Sequence, residues 1–302
     1  MTYQGKKRRL AILYDDKEKL CPSNEKAIVK FYDAALQSNF AVNIIKHYDI
    51  YRLFEYDALF IRSTTAIDND TYWTSVNASK LGLVVIDDPK SIEIGSNKIA
   101  QQKLFDSHNI PTPRTFIADI ENVEIIQTLI KPPYVFKNPY GSFSNGVYKV
   151  TSQETYKNFC TTMFQKVKEF IVQEFIQTEY DWRIGILKNE IIFACKYYMT
   201  KGHWKVIKHN RNGDFVDGES TPIAINNIPP LIAYNALKAA SLLGKGLYGV
   251  DIKEKNGNIY VIEVNDNPNI DAGTEDSLVG DELYMKIIRH FHSELDLLVH
   301  RE

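Results

Sequence analysis

The chain has 302 residues, 44% of them hydrophobic and 25% charged, an ordinary balance for a globular protein long enough to hold two or three packed lobes. Lys+Arg at 36 nearly cancels Asp+Glu at 38, and a net charge of -2 excludes a broad electrostatic attraction to nucleic acid or to an anionic membrane. Cys21, Cys160 and Cys195 are scattered and form no C-x-x-C pair, so they read as reduced, buried thiols of a cytoplasmic protein and not as a disulfide framework or zinc site.

The basic cluster before Leu10 mimics the start of a signal peptide, but the apolar run stops at Asp15 and Asp16, short of an h-region of roughly 7–15 residues. RLAILY therefore reads as a buried strand. Cys21-Pro22-Ser23-Asn24 opens a helix with Ala27, Ile28, Phe31, Ala34 and Ala35 at helical spacing. AVNII and DALFIR are strands, residues 68–81 a helix closed by Gly82, and LGLVVI the next strand. This alternation over residues 1–95 predicts a mostly parallel, Rossmann-like sheet. No G-x-G-x-x-G turn follows the first strand, so a dinucleotide site is not expected. VIDDPKSIEIGSNK is a linker into a helix that carries Lys98 and ends near His108.

A second, α+β stretch covers residues 96–170. RTFI, PPYVFKNP and GVYKV are its strands, and Thr151-Ser152-Gln153-Glu154 is a capping box that starts a helix reaching about Gln165. Over residues 171–302, FIVQEFI, DWRIGIL, EIIFACKYYM and HWKVIKH read as strands, the second and third joined at Lys188-Asn189-Glu190. A helix follows from Pro230 to Leu243, then the paired strands GLYGVDIKE and NIYVIEVN, and a final amphipathic helix through His290. No stretch approaches the ~20 apolar residues of a membrane span.

The paired strands carry the strongest chemical signal. Asn256-Gly257 marks a hairpin turn. A two-residue loop sets Asp251 opposite Ile262 and mixes an acid with the apolar set. A three-residue loop, Lys255-Asn256-Gly257, sets Asp251 opposite Val261 and separates the faces: Val250, Ile252, Tyr260, Ile262 and Val264 on one, Asp251, Glu263 and Asn265 on the other. The apolar pattern selects the three-residue loop, with Asp251 and Glu263 diagonal neighbours roughly 7–8 Å apart. Two carboxylates and an amide oxygen at a strand end form an oxygen-only site, which suits Mg²⁺ completed by phosphate; a solvated acidic face is the plainer alternative.

Lys137 ends the strand PPYVFK, and Gly141, Ser142, Ser144, Asn145 and Gly146 make a polar loop that can turn backbone N–H groups toward phosphate, or be a simple hairpin loop. Phe143 at its tip suits a lid. Lys98 at a helix start reads alone as a solvated lysine. Arg183 and Lys196 lie on strands with apolar neighbours, where a charge needs a carboxylate or a ligand phosphate, and Asp181 is the evident internal partner of Arg183. His203, His209, His290 and His292 have no ligand spacing and read as non-catalytic.

Taken together, DALFIRSTTA, VIDDPKSI, SNKIAQQKLFDSHNIPTPRT, FKNPYGSFSNGVYKV, VQEFIQTEYDWRIGIL, CKYYMTKGHW and GLYGVDIK…YVIEVNDNPNIDAG resemble the ATP-grasp superfamily, and within it the RimK-like glutamate ligases. The resemblance implies an α/β fold in which a Rossmann-like domain precedes two lobes that grip ATP. It implies that Lys98 and Lys137 hold ATP phosphates, that Gly141 to Gly146 is the mobile phosphate loop, and that Gln173, Glu174, Phe175 and Ile176 form the hinge against adenine. Asp181 lies near the ribose, and Asp251, Glu263 and Asn265 bind Mg²⁺, as two ions with Glu263 bridging, Mn²⁺ being an alternative. RimK proper carries Arg-Ser-Asn near the phosphates where this chain reads TKGHWKVIKHNRNGD, so Lys196, Lys205, Lys208 and Arg211 are the candidates for that contact.

The implied reaction is attack of a substrate carboxylate on the γ-phosphate, then of an amine on the acyl phosphate, with Arg183 and Lys196 the catalytic cations. Peptide, protein or small-amine acceptors all fit, and a homo-oligomer is open. The rival readings are a carboxylate–thiol ligase and a non-catalytic ATP-binding module.

Overall fold

Short apolar runs separated by amphipathic helices build the first sheet of the computed structural model, which describes residues 7–18, 21–141, 145–209 and 215–299. β1 (Arg9–Leu13), β2 (Ala41–Ile45), β3 (Ala58–Ile61) and β4 (Val84–Ile86) lie in the order β2-β1-β3-β4, all parallel. The crossovers α1 (Glu25–Gln37) and α2 (Asp70–Lys80) start where the chain supplies caps: Asn24 accepts from the Ala27 N–H, and Asn69 from the Thr71 and Tyr72 N–H groups. Ala27, Ile28, Phe31, Ala34 and Ala35 are the buried stripe of α1, as their spacing predicts.

The linker contains a helix that its composition hid. Asp88 caps α3 (Pro89–Gly95), with Pro89 in the first turn. Asn97 then caps α4 (Lys98–Ser107).

The second sheet is antiparallel, β5 (Thr115–Ala118), β8 (Phe170–Glu174), β6 (Tyr134–Lys137) and β7 (Val147–Val150) in that order. Helices α5 (Val123–Leu129), absent from the sequence reading, and α6 (Gln153–Phe164) share with it a core of Tyr134, Phe136, Tyr156 and Phe170. The α6 cap is Ser152, which accepts from the Thr155 N–H; the expected Thr151–Glu154 box is out by one residue.

The third sheet runs β13 (Ser220–Pro222), β10 (Glu190–Tyr198), β9 (Tyr180–Leu187), β14 (Leu247–Lys255), β15 (Asn258–Asp266). Its apolar face packs on α7 (Pro230–Ser241) and on Phe105 of α4. HWKVIKH contributes only β11 (Ile207–His209), paired with β12 (Phe215–Asp217). The last helix, α8 (Glu282–Val299), runs past His290 and returns to the first sheet, where Tyr284, Ile287, Ile288 and Phe291 join Leu10, Ile12, Phe31 and Phe60.

The β14–β15 hairpin departs from the expected register. Lys255 pairs with Asn258, so the loop is the two residues Asn256 and Gly257, both at positive φ (53° and 78°). A bulge restores the faces: Ile252 opposes Val261 while Asp251 opposes Glu263, which leaves Ile262 as the extra residue. Asp251 and Glu263 are therefore directly opposite, not diagonal. Val261, not Ile262, joins Val250, Ile252 and Val264 in the core.

Candidate active site in the cleft between the sheets

A cavity of about 360 Å³ opens between the three larger sheets. One wall comes from the second sheet and the chain after it. Lys137 stands at the end of β6, 6% exposed, and burial, reinforced by neighbouring Lys98, lowers its pKa to about 8 against the attraction of Glu263. Lys98 is anchored at the start of α4: its N–H donates to Pro139 O (3.0 Å), its Nζ donates to Gly141 O, and Nζ lies 3.7 Å from Glu263 Oε2. Gly146 has φ of 70°, and a Cβ there would sit 2.8 Å from Asn138 Cβ, so the loop between β6 and β7 can close only through a glycine. Gly141 lines the cavity; Asn145 and Gly146 do not; Ser142 and Ser144, with Phe143, lie outside the described residues.

Gln173, Glu174, Phe175 and Ile176 all line the cavity, beside Val135, Val147 and Trp204. Gln173 is fixed by donating to Thr115 Oγ1 (2.8 Å), and Phe175 lies edge-on to Trp204 with ring centroids 5.7 Å apart. This mixture of apolar faces and fixed backbone suits a flat heterocycle.

The acidic face lies at the floor. Arg183 on β9 grips Asp251 with two hydrogen bonds, Nε to Oδ1 at 2.6 Å and Nη2 to Oδ2 at 3.0 Å. Burial opposes the Arg183 charge, but Asp251 outweighs it and raises its pKa. Burial likewise pushes Glu263 upward, and Lys98, Lys137 and Arg183 together overcome it and hold Glu263 below the usual range. Asn265 donates from Nδ2 to Asp251 Oδ2 (3.2 Å) and Gly249 O (3.3 Å), leaving Oδ1 as an acceptor. The opposed like charges of Asp251 and Glu263 would repel if the three cations did not surround them. Gly249 makes room: a Cβ there would meet Pro268 at 2.7 Å and Arg183 Cδ at 3.1 Å.

This donor set fits a hard divalent cation. It is all oxygen, and among the described residues no three His, Cys, Asp or Glu side chains form a cage able to hold an ion alone. A shell completed by phosphate oxygens and water is what such a set requires.

Two expectations about the cations change. Arg183 pairs with Asp251, not Asp181; Asp181 accepts from Lys253 instead. Lys196 does not reach the cavity. It pairs in register with Trp182 on the opposite face of the sheet from Arg183, its Nζ 4.1 Å from the Tyr180 ring centroid and 4.8 Å from that of Trp182, because strand alternation separates neighbours 182 and 183. Of the other candidates, Lys205 lines the cavity and donates to Val147 O (2.6 Å); the Lys208 side chain and Arg211 lie outside the described residues.

The far wall was not anticipated. Thr64, Thr65, Asn269, Asp271, Thr274 and Glu275 line it, brought there by the end of β3 and the loop after β15. Arg62 stands behind, fully buried, donating to Pro22 O (2.6 Å), Ser23 Oγ (2.8 Å), Pro268 O (2.8 Å) and Asn267 Oδ1 (2.6 Å). Burial lowers its pKa to about 10, so it stays charged and straps the loop to the first sheet. The signal for this wall was NDNPNIDAGTED, a polar run after a strand.

Three sheets gripping one cleft of this composition define the ATP-grasp fold. D-alanine–D-alanine ligase from Bacillus anthracis superposes with a TM-score of 0.70 at 16% identity, covering 97% of this chain and 99% of that one. A RimK domain ATP-grasp protein from Sphaerobacter thermophilus also gives 0.70 at 15% identity, covering 93% and 98%. The family model described as RimK-like ATP-grasp domain matches residues 95–291, and the chain belongs to that family. The α-aminoadipate–LysW ligase of Saccharolobus solfataricus is 26% identical over 243 residues, 73% of this chain and 84% of the relative. The tetrahydromethanopterin:α-L-glutamate ligase of Methanocaldococcus jannaschii is 27% identical over 218 residues, 69% and 72%. The protein is an ATP-dependent ligase of the carboxylate–amine class. Among the described residues no helix is long and apolar enough to cross a membrane.

Proposed function

We propose that this ligase activates an amino-acid carboxylate as an acyl phosphate and passes it to an amine, with three units dividing the work: residues 1–95, 96–170 and 171–302. The observation that carries this reading is the convergence of Lys98 and Lys137 with Asp251, Glu263 and Asn265 on one cavity. Lys98 and Lys137 hold phosphate oxygens, Gly141 lies beside them, and residues 173–176 receive the adenine, with Asp181 near the ribose. Asp251, Glu263 and Asn265 would hold Mg²⁺, as two ions, and the metal when bound would supply charge neutralisation of the triphosphate.

The residues act by positioning and by charge. Arg183 spends Nε and Nη2 on Asp251, while Nη1 makes no hydrogen bond among the described residues. It is the donor for the oxyanion that develops when the amine attacks. Lys205 takes the role expected of Lys196. Closure of the cleft keeps water from the acyl phosphate. The names of the relatives favour glutamate or its one-carbon-longer homologue as one of the two substrates, and unpaired Cys21, Cys160 and Cys195 favour the cytoplasm.

The test is ADP release from ATP and Mg²⁺, scanned over amino acids and short peptides singly and in pairs, with Glu263→Gln as the control. Pair-dependent release that the control lacks supports the reading. Equal release from the variant sinks the metal assignment.

A further inference from the structure

The far wall of the cavity carries a carboxylate that the steps above do not use. Glu275 is 3% exposed and lines the cavity. Its Oε1 accepts from the Tyr197 hydroxyl and its Oε2 from the Asp271 N–H at 2.6 Å. Both of those partners are neutral donors, and Glu275 has no ion-pair partner among the described residues. The cavity-lining cations, Lys98, Lys137, Lys205, Lys253 and Arg183, belong to the nucleotide wall and the floor. A buried carboxylate held rigidly by two neutral donors, and facing open space, is completed by a cation that arrives with a ligand.

Its position relative to the chemistry is also defined. The Arg183 guanidinium lies 5.1 Å from the centroid of the Tyr197 ring, and the hydroxyl of that same ring donates to Glu275. One tyrosine thus spaces the carboxylate from the arginine that faces the developing oxyanion.

We propose that Glu275 is the proton acceptor for the incoming amine, and that the wall of Thr64, Thr65, Asn269, Asp271 and Thr274 receives a primary amine as its ammonium ion. This rests on the ligase reading above. Glu275 takes one proton from the ammonium. The free amine then forms the C–N bond as the C–O bond to phosphate breaks, and the second N–H proton leaves with phosphate as HPO₄²⁻. Glu275 returns its proton to solvent.

The titration of the group suits this task. Burial raises Glu275 to about 7, against the hydrogen bonds of Tyr197 and the Asp271 N–H, and a base near the working pH is the most effective. The charged or titratable groups around it are Arg183 on β9, Cys195 and Tyr197 on β10, Arg62 after β3, Asp271 in its own loop and Tyr284 on α8.

The experiment compares two nucleophiles on wild type, Glu275→Gln and Tyr197→Phe. The donor is the carboxylate returned by the ADP-release scan, glutamate being tried first. One nucleophile is the amine from the same scan, an ammonium at neutral pH; the other is hydroxylamine, which is largely unprotonated there and traps acyl phosphate as a hydroxamate. In Glu275→Gln, ligation of the amine falls roughly 10²–10⁴-fold, the usual worth of a general base, and the loss is confined to the amine. Tyr197→Phe removes a hydrogen bond that lowers Glu275, so the acid limb of the amine rate moves to higher pH while hydroxamate formation keeps its profile; this arm stands if Glu275→Gln fails to fold. Equal losses with both nucleophiles mark a structural role and overturn the proposal alone. Wild type that forms no hydroxamate with any donor overturns the acyl-phosphate route proposed above, and this inference with it.

Discussion

On the wall built by β6, β7 and the chain after β8, lysines stand among apolar side chains, whereas the wall built by the loop after β15 and the end of β3 holds hydroxyls and carboxylates. The floor between them, Asp251, Glu263 and Asn265, is flanked by Arg183, Lys98 and Lys137. The first wall, with its lysines, suits anions; the second, with its hydroxyls and carboxylates, suits a cation. A ligase joining a phosphorylated acid to an amine needs that polarity, because its two reactants arrive with opposite charge and must not exchange places.

The comparison can be broken by removing charges in turn. Glu263→Gln is expected to have the largest effect, about 10³-fold or more in kcat, since it takes a carboxylate from the donor set proposed to hold Mg²⁺; ADP release measures it. Lys137→Met is next, about 10²-fold in kcat/KM for ATP. Its pH dependence sharpens the point. The charged fraction of Lys137 falls as pH rises through about 8, and triphosphate favours the charged form. ATP affinity therefore weakens above that pH, by up to about tenfold per unit, and calorimetric titration of Lys137→Met shows no such limb. Lys98→Met should weaken ATP binding about tenfold, the worth of one charge-assisted hydrogen bond. Lys196→Met should be smallest: turnover unchanged, and stability lower by about 1 kcal/mol from the lost contact with the Tyr180 and Trp182 rings. A large loss of turnover in that variant would return Lys196 to the site and undo the division of faces.

Much of this molecule was legible in local pattern. The β-α-β alternation to Ile86, the buried stripe of α1, and the shared face of Asp251, Glu263 and Asn265 follow from periodicities of 3.6 and 2, which act within a few residues of each other. Apolar burial decides both, so composition along the chain is enough. The hairpin loop length is not legible locally because two different backbones, a three-residue loop or a two-residue loop with a bulge, give nearly the same faces. Only packing of Val261 in place of Ile262 distinguishes them.

What the tertiary structure alone decided is which distant residues meet. Arg183 chose Asp251 over nearby Asp181 because adjacent strands bring side chains 68 positions apart within hydrogen-bond reach. Lys196 went to an aromatic pocket because its cross-strand neighbour is Trp182. Glu275 faces the cavity because Arg62 straps the loop that follows β15 to the first sheet, across 205 residues of chain. Local propensity carries no information about such separations; they are set by the way sheets and buried charges must close around one another.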